Sequence, residues 1–205
     1  MDFNEREEVY SRAEYYWGTE PSTLARTTAE YVPFDPDGKR LIDIGAGEGR
    51  DAVFFAEQGF DVIAVDISPA GLEKARRLAA ERGVDITTLE ADINDFTLPE
   101  PVDVVCSSGA VQFIRPAVRR SQFERFQQAT NPGGIHAMFA FVDHPAIPPA
   151  PDTTDDQYPF DREEVQGYYT AWETLYTEEI TFEDDSGGIP HRHAARIHIA
   201  RRPGA

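Results

Sequence analysis

Lysine is nearly absent from this chain of 205 residues: Lys39 and Lys74 are the only two, so 17 of the 19 basic residues are arginine. Positive charge as a whole is scarce. Against 37 acids the 19 bases leave a net charge of -18 and a pI near 4.5. A partner such as nucleic acid or an anionic membrane is recognised through a basic patch, so neither is expected. A surface rich in Asp and Glu and poor in Lys fits life in high salt, where screening lengths shrink to a few Å and self-repulsion is tolerable. A GC-rich genome, which favours arginine, gives the same composition, and both readings stand. Cysteine is represented by Cys106 alone, so an intrachain disulfide is excluded. No apolar run approaches the roughly 18 residues of a membrane span. The opening residues Asp2 to Arg6 are acidic and polar, unlike a signal peptide. A cytoplasmic location is the expectation, and the oligomeric state is left open.

Hydrophobic residues make up 40% of the chain, enough for one sizeable core, and residues 1–205 are read as a single domain. Residues 1–34 are aromatic on a helical background and read as an N-terminal helical lid. Pro33 to Gly38 is a turn-rich break. From Arg40 strands and helices alternate. Strands are expected at Leu41–Ile44, Asp61–Val65, Ile86–Leu89, Val102–Cys106 and Ile135–Phe141. Helices are expected at Asp51–Gln58, Leu72–Arg82 and Ser121–Thr130. That alternation means βαβ units and a parallel sheet. Residues 40–141 form this core. Residues 144–160 hold five prolines without periodicity and read as a surface loop or lid. A helix over Asp161–Trp172 and two strands, Leu175–Phe182 and Ala195–Ala200, follow. With the turn at Asp184–Gly188 between them, those strands form a hairpin that closes the sheet antiparallel. The fold class is α/β, with a mostly parallel central sheet and helices on both faces.

The segment Asp43-Ile44-Gly45-Ala46-Gly47-Glu48-Gly49-Arg50-Asp51 follows a strand and opens a helix. Glycines there let a ligand approach the backbone, and the first helical N–H groups face it. The dinucleotide fingerprint requires Gly-x-Gly-x-x-Gly, but here the third glycine comes one place early and Arg50 stands where the last belongs. Asp43 would repel a pyrophosphate yet suits an ammonium group. Asp66 closes the second strand, 66 - 49 = 17 residues after the last glycine, where an acid accepts from ribose hydroxyls. Asp92, after the third strand, is placed to accept from an adenine amino group. Taken singly, Asp66 also suits a helix cap and Asp92 a turn.

In order and at this spacing, the pattern resembles the class I S-adenosylmethionine-dependent methyltransferases, whose motif is acid-x-Gly-x-Gly-x-Gly. The resemblance implies a Rossmann-like fold and S-adenosyl-L-methionine as cofactor. It implies that Gly45, Ala46 and Gly47 line the methionine moiety, that Asp43 sits near its amino group, and that Asp66 with Ile67 holds the ribose. Asp92 and Ile93 would flank the adenine, with Ser107 also on the cofactor side. Gly47 to Ala52 and Ala56 to Val62 are similar to the tellurite-resistance (TehB-like) methyltransferases and their thiopurine methyltransferase relatives. Leu24 to Glu30, Pro159 to Glu173 and the ending Ile199 to Arg202 resemble the tellurite branch. That resemblance implies that Arg26 reaches the cofactor carboxylate and that Tyr16 and Trp17 help cover the site. Both aromatics also suit plain packing, and Tyr10 suits packing better.

Ligands in open α/β sheets sit beyond the carboxyl ends of the strands. Ser107 to Phe113 lies there, so Gln112 and Phe113 are expected to face a substrate. His191, His193 and Arg196, with Arg192, are the polar candidates for catalysis. Guanidinium and imidazolium donate to oxyanions, and histidine accepts protons near neutral pH. A solvated strand start in an acidic protein is the competing reading of these residues, and the choice between His191 and His193 stays open. His-x-His also raises a metal site, but without a nearby Cys or a clear third ligand no metal is expected. Cys106, His136 and His198 read as structural.

The expected activity is methyl transfer to a small soft nucleophile, a tellurite- or selenite-type oxyanion or a thiol, by direct in-line attack. A small-molecule substrate is therefore the expected partner. A cofactor-binding sensor or partner subunit without chemistry is the alternative. An NAD-dependent dehydrogenase is disfavoured by Asp43 and Arg50.

Overall fold

The computed structural model describes residues 2–98, 101–185 and 188–204. Within them the strands are β1 (Arg40–Ile44), β2 (Asp61–Asp66), β3 (Thr87–Glu90), β4 (Val102–Ser108), β5 (Thr130–Phe141), β6 (Glu173–Asp184) and β7 (His191–Arg201). They make one sheet in the order β3-β2-β1-β4-β5-β7-β6. The first five pair in parallel, while β7 runs antiparallel to both β5 and β6. This is the mostly parallel sheet with an antiparallel C-terminal hairpin that the sequence implies. The hairpin turn includes Ser186 and Gly187, which lie outside the described residues.

The helices are α1 (Phe3–Tyr10), α2 (Thr23–Tyr31), α3 (Arg50–Glu57), α4 (Pro69–Arg82), α5 (Pro116–Gln128) and the short α6 (Glu164–Gly167). Strand periodicity of two sends alternate side chains to opposite faces, and each face carries its own core. On one face Ile42, Ile44 and Met138 pack with Phe123 and Phe126 of α5 and Val165 of α6. On the other, Leu41, Ala137 and Ile199 pack with Leu24 and Ala25 of α2 and Phe55 of α3. Two helices therefore start earlier than apolar periodicity indicates. Proline opens both α4 and α5, where its missing N–H costs no helical hydrogen bond. Ser68 also caps α4, its Oγ accepting from Gly71 N–H at 2.9 Å.

The helix expected over Asp161–Trp172 is reduced to the four residues of α6. Its aromatic residues instead turn inward. Tyr169 is buried and its hydroxyl lies 2.9 Å from His136 Nδ1, while Tyr168 stacks on Phe123 with ring centroids 4.5 Å apart. A straight helix would not bring both rings to those partners. The last strand starts at His191 rather than Ala195, because the register continues through Phe182↔His193 to Asp184↔His191. The strand expected over Ile135–Phe141 starts at Thr130, and residues 131–134 form an irregularity between the Val102 and Val104 pairings.

Candidate active site

A cleft of about 1480 Å³ opens along the carboxyl ends of the parallel strands. β1, β2 and the segment after β3 form one half, and β5, β6 and β7 the other. The loops after β1 and β4 meet between them. Because β7 is antiparallel, its first residues come to the same edge as the last residues of β5 and β6.

The glycine loop floors the first half. Two of its glycines are dictated by close approach. A Cβ on Gly45 would lie 2.0 Å from the Ala110 Cβ, and one on Gly49 only 2.5 Å from the Ala75 Cβ. Both also have positive φ, 77° and 87°, which disfavours any other residue. Gly49 thus lets α3 begin against α4. Arg50, next to it, turns its guanidinium outward and donates to Trp17 O at 3.0 Å.

Asp43 is buried beneath this loop, and its Oδ2 has no hydrogen-bond partner among the described residues. Burial, together with Asp51 and Asp66 nearby, pushes its carboxyl well above the usual carboxylate range. Asp66 closes β2 and accepts from Gly47 N–H at 2.7 Å on Oδ2 and from Ser68 N–H at 2.8 Å on Oδ1. Burial raises its carboxyl too, against the opposing pull of those amides. Each oxygen retains a second lone pair. Ile67, Asp92 and Ile93 also line the cleft. Asp92 Oδ1 accepts from the backbone and side-chain N–H of Asn94, both at 2.8 Å, so it also forms the turn that competed with its binding role.

Not every expected residue arrives here. Ser107 is fully buried, and its hydroxyl donates to Ile44 O at 2.7 Å, tying β4 to β1. It does not line the cleft, though Ser108 does. Arg26 faces away, since Leu24, Ala25 and Thr28 occupy the buried side of α2. Its guanidinium meets Glu20 at 3.3 Å instead. The arginines that do line the cleft include Arg6, Arg12, Arg50 and Arg115.

The N-terminal segment crosses the cleft, with Tyr16 and Trp17 both lining it. Tyr10, expected to pack plainly, goes further. It is buried, its hydroxyl accepts from Trp17 Nε1 at 2.9 Å, and a Cβ on Gly47 would come within 3.1 Å of that hydroxyl. Two acids of the loop hold the segment down, a role that sequence reading missed. Glu48 accepts from Trp17 N–H at 3.0 Å and from Lys74 Nζ at 2.6 Å. Asp51 accepts from both the N–H and the hydroxyl of Ser22, each at 2.6 Å. Their position directly after the glycines was the available signal.

In the second half, Gln112 is buried and donates to Gly109 O at 2.6 Å, while Phe113 lies under Arg6, whose guanidinium carbon is 4.4 Å from the ring centroid. Both line the cleft. Opposite stands an aromatic wall that sequence reading did not single out. Phe141 and Phe182 flank His193 with centroid distances of 4.9 and 5.6 Å, and Phe139 lies 5.7 Å from Phe141. The signal was the alternation Phe139-x-Phe141 at a strand end. Of the three proposed catalytic residues only His193 lines the cleft. Arg196 points to the other side of β7, where it donates to Glu179 at 2.9 Å and to Arg162 O. Arg192 donates to Thr181 Oγ1 at 3.1 Å. His191 sits behind His193, the two Nε2 atoms 2.8 Å apart. The absence of a third ligand for this His-x-His is corrected by the fold. Asp152, from the proline-rich segment, and Asp184, from β6, close on the pair.

Burial also explains the remaining histidines. His136 is held down to about 3 and His198 to about 4, chiefly by desolvation, so both are neutral structural groups.

The donor set of the first half fits S-adenosylmethionine. A buried carboxylate oxygen without a donor suits an ammonium, and Asp66 has lone pairs to spare for a ribose. Residues 41–134 match the family described as Methyltransferase domain. Hemagglutinin 1 of Eikenella corrodens is 28% identical over 171 residues, covering 80% of this chain and 55% of that protein. The protein described as a probable S-adenosyl-L-methionine-dependent methyltransferase, TehB of Haemophilus influenzae, is 26% identical over 153 residues, covering 72% and 52%. The chain thus spans about half the length of these curated relatives. In three dimensions the crystal structure of that TehB superposes with a TM-score of 0.79 at 22% identity, over 96% of this chain and 67% of the other. A structure described by the conversion of a disulfide bond into a thioacetal group during echinomycin biosynthesis gives 0.72 at 21%, over 98% and 90%. The two structural likenesses speak for the fold alone. Residues 41–134 thus match a methyltransferase domain, in a chain whose fold is that of TehB and whose sequence is similar to a probable S-adenosylmethionine-dependent methyltransferase.

Proposed function

We propose that this chain transfers a methyl group from S-adenosylmethionine to a small soft nucleophile by direct in-line attack, and that the nucleophile is a thiol. When bound, the cofactor supplies a methyl group already activated on a sulfonium sulfur. What remains for the protein is placement and the exclusion of water. Asp43 would hold the ammonium, Gly45, Ala46 and Gly47 the methionine moiety, Asp66 and Ile67 the ribose, and Asp92 with Ile93 the adenine. Tyr16 and Trp17 would cover the site, since Tyr and Trp exclude water while offering a polar tip.

The observation that carries the choice of acceptor is the wall formed by Phe139, Phe141 and Phe182 around His193. Such a wall suits a polarizable, weakly polar group such as sulfur next to aromatic rings. A tellurite- or selenite-type oxyanion would call for guanidinium donors at that end. The two arginines proposed for that task, Arg192 and Arg196, are engaged elsewhere. Gln112 and Phe113 would form the opposite side of the acceptor space, with His193 as the imidazole that the acceptor meets. A panel of small thiols, tellurite and selenite, each offered with labelled cofactor, tests the assignment. Methylated thiol is the expected product, and product from the oxyanions alone would refute the choice.

A further inference from the structure

Four side chains with metal-ligand chemistry converge at the acceptor end of the cleft. His191 Nε2 lies 3.0 Å and His193 Nε2 3.5 Å from Asp152 Oδ1, and Asp184 Oδ2 lies 3.6 Å from His193 Nε2. The two imidazole nitrogens are 2.8 Å apart, and all four ligand atoms fall within 4.8 Å of one another. Bond lengths of about 2.0–2.2 Å to zinc, in a tetrahedron, put ligand atoms about 3.3 Å from each other. The observed separations bracket that value, so small side-chain movements would complete the site.

The orientation of the His191 ring gives a second sign. His191 Nδ1 lies 2.6 Å from Ile189 O. A carbonyl only accepts, so Nδ1 is the ring nitrogen turned to the backbone and Nε2 is the one that faces the cluster. A backbone carbonyl on the far ring nitrogen is how ligating histidines are commonly fixed. All four side chains are three-quarters or more buried, at 6% exposure for His191, 12% for His193, 24% for Asp152 and 25% for Asp184.

We propose that Asp152, Asp184, His191 and His193 bind one divalent transition-metal ion of the zinc type. The set comes from three separate stretches, so the ion would fasten the proline-rich segment to the β6–β7 hairpin and fix that wall of the cleft. Two imidazole nitrogens with two carboxylate oxygens suit zinc better than the all-oxygen shells of calcium or magnesium. The proposal does not depend on the identity of the methyl acceptor.

The test uses the full chain, stripped with chelator and titrated with zinc alone, without cofactor or acceptor. One zinc per chain is expected, with a dissociation constant in the micromolar range or tighter. His191→Gln and Asp152→Asn should each weaken binding at least tenfold, while His144→Gln, at a histidine outside the cluster, should leave it unchanged. Absence of stoichiometric zinc, or binding indifferent to His191→Gln and Asp152→Asn, would overturn the proposal. Cobalt in the unaltered chain gives a readout free of folding effects. The intense visible bands of a four-coordinate site, abolished by added zinc, are expected. The faint spectrum of six-coordinate cobalt would contradict the site. Methyl transfer by a chain that binds no zinc would refute the metal site and leave the methyltransferase reading intact.

Discussion

Lys74 Nζ lies 2.6 Å from Glu48 Oε1, and both side chains are almost fully buried under the N-terminal segment. One of only two lysines in the chain is therefore an internal tie and not a surface charge. Breaking such a pair leaves an uncompensated buried charge, which costs about 3–5 kcal/mol. Lys74→Met is expected to lose about that much stability in denaturant unfolding. Removing both partners with Glu48→Gln and Lys74→Met should recover a large part of it. Because buried pairs are weakly screened, the Lys74→Met loss should persist in molar salt. Severing the exposed pair of Arg77 and Glu81 should cost far less than that in any salt.

Asp43 is expected to trade stability for binding. Its carboxyl is pushed up in the folded chain, so the native state holds a proton that the unfolded state, near 3.9, has released. Between those two values the folded state binds more protons, and stability falls as pH rises. Asp43→Asn should raise the melting temperature of the cofactor-free chain at pH 7 and remove that slope. It should also weaken S-adenosylmethionine binding at least tenfold by calorimetry. Unchanged affinity would remove the ammonium role.

His136 works in the opposite sense. Its folded value of about 3 lies far below the ordinary 6.5, so the unfolded chain takes up the proton first. Stability is complete above about 6.5 and is lost as pH falls towards about 3. Each unit of separation is worth about 1.4 kcal/mol, so the loss over the window is a few kcal/mol. His136→Leu should flatten this acid limb. At pH 7 it should itself cost about 1–3 kcal/mol, because the hydroxyls of Tyr169 and Thr130 lose their ring partner.

Trp17 is 44% exposed at the mouth of the cleft and donates to Tyr10. Cofactor entering beside Gly47 must rearrange that contact. Titration with S-adenosylhomocysteine should therefore change Trp17 emission saturably, and Trp17→Phe should abolish the change although Trp172 remains. A saturable signal in Trp17→Phe would assign the effect to Trp172.

The parallel core was legible because its signals are local. Alternating strand and helix periodicities, the Gly45-Ala46-Gly47-Glu48-Gly49 turn and acids at strand ends all lie within short windows. The residues that line the first half of the cleft were legible for the same reason. What failed depends on contacts distant in sequence. Arg26 sits in the expected helix, but which face of α2 is buried depends on β4 and β5. Ser107 is at the expected strand end, yet its hydroxyl is taken by Ile44 across the sheet. Tyr168 and Tyr169 follow helical spacing but are drawn out of a helix by Phe123 and His136. Asp152 lies 39 residues before His191, and only the docking of the proline-rich segment against the hairpin brings them together.

The proposed activity is binding of S-adenosylmethionine in this cleft and delivery of its methyl group to a thiol at the aromatic end. Incubation with methyl-labelled cofactor and a small thiol, following S-adenosylhomocysteine and the labelled thioether together, tests it most directly. Equal amounts of both products are expected, formed over many turnovers and sharply reduced by Asp43→Asn. Tight cofactor binding with no homocysteine product from any acceptor would contradict it and describe a sensor instead.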